Sequence, residues 1–150
     1  MVIDTLTGEH RVLAVDILHD VGRSLNPSID LGQIEGGFIQ GQGWLTTEEL
    51  VFDERGRLLT HSPATYKIPT ASDRPARLSI TLWNGENVEP TIHRSKAVGE
   101  PPFMLAISVF SALTQAVAAV APQVRELPGL DAPATPERIL AAITAHRSRA

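Results

Sequence analysis

The sequence predicts an α+β fold: a mostly antiparallel sheet carrying a glycine-rich helix, an apolar helix and a short C-terminal helix. Three observations predict it. Residues 12–18 form an apolar, partly β-branched run bounded by turn residues, and residues 78–83 alternate apolar with polar, as strands do. Residues 27–45 and 103–120 are runs too long for ordinary strands. Thr135-Pro136-Glu137 combines an N-cap, a proline at the first helical position and an acid in the first turn.

Taken in order, Val2-Ile3-Asp4 reads as a strand entering a turn at Thr5-Leu6-Thr7-Gly8-Glu9, with the strand at 12–18 following. A chain that opens inside a hairpin reads as a piece of something longer, so residues 1–150 are expected to be one fragment of a larger domain. His19 to Ser24 is loop, and Asn26-Pro27 supplies an N-cap and a first helical residue. The helix that follows holds Gly32, Gly36, Gly37, Gly41 and Gly43. Each interior glycine costs roughly 0.5–1 kcal/mol relative to alanine, so a close approach must compensate. Either tight packing in the core or a cofactor against bare backbone would do. Residues 49–60 read as a hairpin, residues 65–70 as an extended segment broken by Pro69, and 71–75 as polar loop. Asn84-Gly85 turns after the strand at 78–83, residues 103–120 form a buried helix, and 122–133 are linker-like.

Apolar residues make up 43% and charged residues 20%, the balance of a globular chain. A formal charge of −4 gives no footprint for nucleic acid or for an anionic membrane, and no uninterrupted apolar run reaches spanning length. The absence of cysteine excludes disulfides, Fe–S ligation and a thiolate nucleophile within this chain, and it fits a reducing cytoplasm. Nothing at the N-terminus has the pattern of a signal peptide.

Candidate chemistry gathers at two places. Glu100 stands between Gly99 and the pair Pro101-Pro102, just before the apolar run. Glycine admits backbone angles closed to other residues and proline fixes φ, so the carboxylate is held by stiff backbone, as a positioned general base needs. The simpler role is a surface anion at a helix start. Gln33 carries both donors and an acceptor; it suits a polar heterocycle, or equally a core glutamine satisfied by backbone. Arg23 and Lys96 are solvated charges or contacts for an anionic ligand, and Ser95 is loop structure. The five histidines are scattered without ligand spacing, and no phosphate-binding or dinucleotide fingerprint occurs.

Four motifs in order carry a resemblance: Asp20-Val21-Gly22-Arg23-Ser24-Leu25-Asn26-Pro27, Gly32-Gln33-Ile34-Glu35-Gly36-Gly37, Thr65-Tyr66-Lys67-Ile68-Pro69, and Ser95 to Pro102. Together, from about Val2 to Arg147, they resemble the C-terminal part of the molybdopterin-binding subunit of the xanthine dehydrogenases, within the molybdenum hydroxylase family.

The resemblance implies specific roles. Glu100 matches the general base that takes a proton from a hydroxyl on molybdenum, which then attacks an electron-poor carbon of xanthine or hypoxanthine. Gln33 matches the glutamine that hydrogen-bonds the pterin. The metal is held by the pterin's dithiolene, so no protein ligand to it is expected. Further cofactor contacts and substrate-binding residues belong to the rest of the subunit, and Fe–S clusters and FAD to other domains or subunits. The implied assembly is an oligomeric, cytoplasmic enzyme of purine breakdown, in which this chain alone is inactive. Two alternatives are a binding or assembly module that kept the fold, and a piece of an aldehyde or N-heterocycle hydroxylase.

Overall fold

The computed structural model describes all 150 residues. A short hairpin opens it, with strand β1 (Val2–Ile3) antiparallel to β2 (His10–Arg11). Its turn needs Gly8, whose φ of 77° is closed to most side chains. A Cβ there would also run into the backbone of Pro136, so the turn rests on the start of the last helix. Strand β3 (Ala14–His19) follows, then helix α1 (Pro27–Thr46), strand β4 (Arg77–Leu82), helix α2 (Ile107–Ala118) and helix α3 (Pro136–Arg147).

The α+β architecture is as the sequence predicts, but the sheet is only partly antiparallel. The longest ladder pairs β3 with β4 in parallel, in register from Ala14↔Arg77 to His19↔Leu82. Antiparallel pairing is confined to the β1–β2 hairpin and two isolated bridges. A parallel pair needs a long crossover, and α1 with the loops after it supplies one. Alternation reveals a strand's faces but not its partner's direction. The hairpin expected over residues 49–60 shrinks to one bridge, Phe52↔Leu58. Leu50, Val51 and Phe52 stay exposed, so no buried face extends the pairing.

Helix α1 is capped by Asn26, whose side chain accepts from the Ile29 amide at 3.3 Å, with Pro27 at the start. Ile34 and Phe38 on its inner face are completely buried, among Val109, Leu113 and Val117 of α2 and Ile139 and Ile143 of α3. The apolar run expected as one helix is two elements: a 3-10 helix (Pro101–Ala106) and then α2. Pro101 and Pro102 remove two backbone donors, and the first closure, Phe103 N–H to the Glu100 carbonyl at 3.0 Å, is a tight three-residue one. Over Pro101–Ala118 the mean hydropathy is 1.5 across 18 residues, long and apolar enough by composition alone to cross a membrane. In the fold its Val109, Leu113 and Val117 face the core instead. Thr135 caps α3 by accepting from the Arg138 amide, while the Arg138 guanidinium reaches Glu49 at 2.7 Å.

Candidate functional site

The four motifs meet along α1, three of them at or beside its N-terminal half. Motif one is stitched to motif four by backbone: Arg23 N–H donates to the Arg94 carbonyl (2.9 Å) and Lys96 N–H to the Val21 carbonyl (2.8 Å). Gly22, at φ 61°, bridges Ser95 in this pair, and a side chain there would overlap the Arg94 carbonyl. Asp20 closes the turn by accepting from the Gly22 amide at 2.8 Å, and its other oxygen takes the Lys96 ammonium at 2.6 Å. That hydrogen bond, with the one from Gly22, holds the Asp20 carboxyl below its ordinary range. Lys96 is thus engaged within the chain, while Arg23 is exposed. Ser95 Oγ donates to the Ile92 carbonyl, the loop role expected of it.

The glycines of α1 divide by what faces them. Gly37 packs on Pro102 and Phe103: a Cβ would lie 2.9 Å from that of Pro102. At Gly41 it would meet the Phe103 carbonyl and, at 2.9 Å, the Ala106 methyl. These two let the loop bearing Glu100 lie directly on the helix. Trp44 then closes on Phe103 edge to face, with ring centres 4.9 Å apart. Gly43 gives way to Pro69 and Glu48. Here motif three docks: the Tyr66 hydroxyl donates to Glu48 at 2.5 Å, and Thr47 Oγ1 to the Lys67 carbonyl at 2.8 Å. At Gly32 and Gly36 a Cβ would meet nothing within 4 Å.

Gln33 sits on that open edge. It is exposed rather than a core glutamine, and its side-chain oxygen lies 3.7 Å from where a Gly99 Cβ would be. The fold therefore brings Gln33 beside the Gly99-Glu100 turn. Glu100 is itself exposed and precedes the 3-10 helix, yet its side chain makes no capping hydrogen bond. Gly99 does not use the left-handed region; in this loop His93 (φ 55°) and Arg94 (φ 59°) do. Two successive non-glycine residues there store strain of order 1–3 kcal/mol each. The Arg94 guanidinium folds back onto the Val88 carbonyl at 2.9 Å. Histidine tolerates this region better than most side chains, but an arginine does not announce it; Gly22, in an Asp-x-Gly turn, is the legible half of the junction.

The description "Molybdopterin cofactor-binding domain" matches residues 1–75, half of the chain. The chain belongs to this family. Over 91% of its length it is 49% identical to xanthine dehydrogenase 1 of Arabidopsis thaliana and 48% identical to the xanthine dehydrogenase/oxidase of Rattus norvegicus. It spans only 11% of either protein. Among solved structures, quinoline 2-oxidoreductase from Pseudomonas putida superposes with a TM-score of 0.82 at 31% identity, covering 95% of this chain and 17% of that one. CO dehydrogenase from Oligotropha carboxidovorans gives 0.82 at 25% identity, covering 99% and 18%.

Proposed function

We propose that residues 1–150 are the C-terminal part of a molybdenum-cofactor-binding domain in a cytoplasmic enzyme that hydroxylates xanthine or hypoxanthine at an electron-poor carbon. The observation that carries this reading is the juxtaposition of Gln33 and the Gly99-Glu100 turn on the open Gly32–Gly36 edge of α1. The edge fits a molybdopterin. It offers helix backbone without side chains and an exposed primary amide that both donates and accepts. Bound molybdenum would supply the two-electron redox change. Gln33 would hold and orient the pterin, and Glu100, free of any capping bond, would take a proton on its carboxylate from the attacking hydroxyl. The stitched Gly22–Ser95 junction and the packing on Gly37 and Gly41 would fix that carboxylate in place.

The rest of the molybdenum subunit, and Fe–S and FAD groups elsewhere that remove electrons, would be obligatory partners in an oligomeric assembly. The chain's share of its relatives' length makes independent turnover unexpected. Hydroxylation of another N-heterocycle is the second reading, favoured by the likeness to quinoline 2-oxidoreductase; higher identity to the xanthine dehydrogenases favours purines.

Glu100→Gln in the complete enzyme tests the assignment. Size and hydrogen-bonding shape persist but the basic oxygen is lost, so molybdenum content should hold while turnover of xanthine falls about 10²–10⁴-fold. Near wild-type turnover in a fully loaded enzyme would return Glu100 to a surface role.

A further inference from the structure

The parallel ladder of β3 and β4 leaves one row of backbone groups unanswered. At its two ends Arg77 N–H donates to the Leu13 carbonyl (3.0 Å) and Trp83 N–H to the His19 carbonyl (2.8 Å). Along a strand the bonding direction alternates from residue to residue, so Arg77, Ser79, Thr81 and Trp83 aim their backbone at β3. Leu78, Ile80 and Leu82 therefore aim theirs the other way. No third strand lies on that side, and no hydrogen bond made outside the helices and strands reaches these three residues. Their amides and carbonyls stand open along about 13 Å of β4.

The side chains show where cover is missing. Leu78, Ile80 and Leu82 face the core yet are only half buried, whereas Ile17, directly across the ladder from Ile80, is buried. The opposite face of the ladder is a finished solvent face. It carries Asp16, Ser79 and Thr81, and the Arg77 guanidinium reaches Asp16 at 2.8 Å. The shortfall thus lies beside β4 and not above the sheet.

The free side of β4 is also unprotected. Between Leu78 and Leu82 there is no charge, no proline and no bulge, the usual devices that keep an edge strand from pairing. Two strands alone are marginal in water, and parallel strands belong to sheets with buried faces. Groups spaced as a strand spaces them are answered by another strand, which supplies the complementary N–H and C=O. The half-buried inner face asks that strand for apolar residues at every second position.

We propose that the free side of β4, at Leu78, Ile80 and Leu82, is the seam where an extended, alternately apolar segment from the rest of the molybdenum subunit joins this chain. The chain spans only 11% of the xanthine dehydrogenases it matches, so a complete protein of that kind holds ample further chain to supply the strand. The inference rests on reading the chain as part of such a subunit, but not on Glu100 or on the substrate.

Hydrogen exchange in the complete enzyme, read at single amides by mass spectrometry, tests it. The amides of Leu78, Ile80 and Leu82 should exchange at least about a hundredfold more slowly than unprotected amides, as slowly as those of Ser79 and Thr81. A photo-crosslinking residue at Ser79, an exposed position beside the seam, then identifies the neighbour. The adduct should map to a peptide of the same subunit outside residues 1–150. Fast exchange at the three amides while Ser79 and Thr81 stay protected overturns the proposal. So does an adduct with a second copy of these residues, or with the polypeptide carrying Fe–S or FAD. Turnover enters neither readout, so failure of the Glu100 assignment and failure of this seam are separate results.

Discussion

Replacing the glycines of α1 by alanine one at a time should sort them into opposite classes. At Gly32 and Gly36 the added methyl meets nothing within 4 Å, so only helix propensity changes. Each substitution should stabilise the isolated chain by about 1 kcal/mol, and the pair by about 2. For a chain of this size that is roughly 4–8 °C in Tm. At Gly41 the same propensity gain is opposed by the Phe103 carbonyl, which belongs to backbone and cannot rotate away. Overpacking of this kind costs about 1–3 kcal/mol, so Gly41→Ala should be neutral to destabilising. The two classes should therefore differ by about 1–3 kcal/mol. Urea unfolding followed by far-UV circular dichroism, with unchanged m-values, reads the difference. In the complete enzyme the order should reverse: Gly36→Ala, harmless to the chain, should lower molybdenum content. If Gly41→Ala stabilised as much as Gly32→Ala, the packing of the Glu100 loop on α1 would be wrong. If Gly32→Ala destabilised the chain, the edge would not be open.

Gln33→Ala in the complete enzyme should weaken cofactor retention by about 1–3 kcal/mol, the loss expected when a buried partner is left unpaired; unchanged molybdenum content and turnover would remove Gln33 from the site. Asp20 titrates below the ordinary 3.8 because of Lys96 and Gly22, so its contribution to stability is complete above that value and is lost as the pH falls through the lower folded one. Lys96→Met should move the Asp20 carboxyl titration, followed by carbon NMR, back towards 3.8; an unmoved curve would refute the pairing. Large apolar side chains stand exposed at Leu6, Leu18, Val88, Ile92 and Leu127, so the isolated chain should self-associate at micromolar concentration. A clean monomer by sedimentation velocity would count against that.

Local signals were the most legible. Pro27 after Asn26, and Pro136 after Thr135, mark both helix starts where they occur, because caps and prolines act on their own backbone. The need for a close approach at the glycines was also readable, but not its division into packed and open positions. Helical spacing says which residues share a face, and only the tertiary fold says what covers it. The parallel pairing of β3 with β4 escaped for a similar reason: partners 63 residues apart leave no mark in either strand. The Gly99-Glu100-Pro101-Pro102 turn lies where the sequence puts it, yet the strained backbone falls at His93 and Arg94, of which only the histidine belongs to a type enriched at positive φ.

The Gly22–Ser95 bridge changes how variants in this chain should be ranked. Distance along the chain would file Gly22 with the harmless turn positions, far from Glu100. Mechanically it is the hinge pin of the Glu100 loop, since any side chain there strikes the Arg94 carbonyl. A Gly22→Ser allele would therefore mimic damage at the Glu100 end while leaving every residue there unaltered. Surveys that score positions by proximity in sequence would miss it.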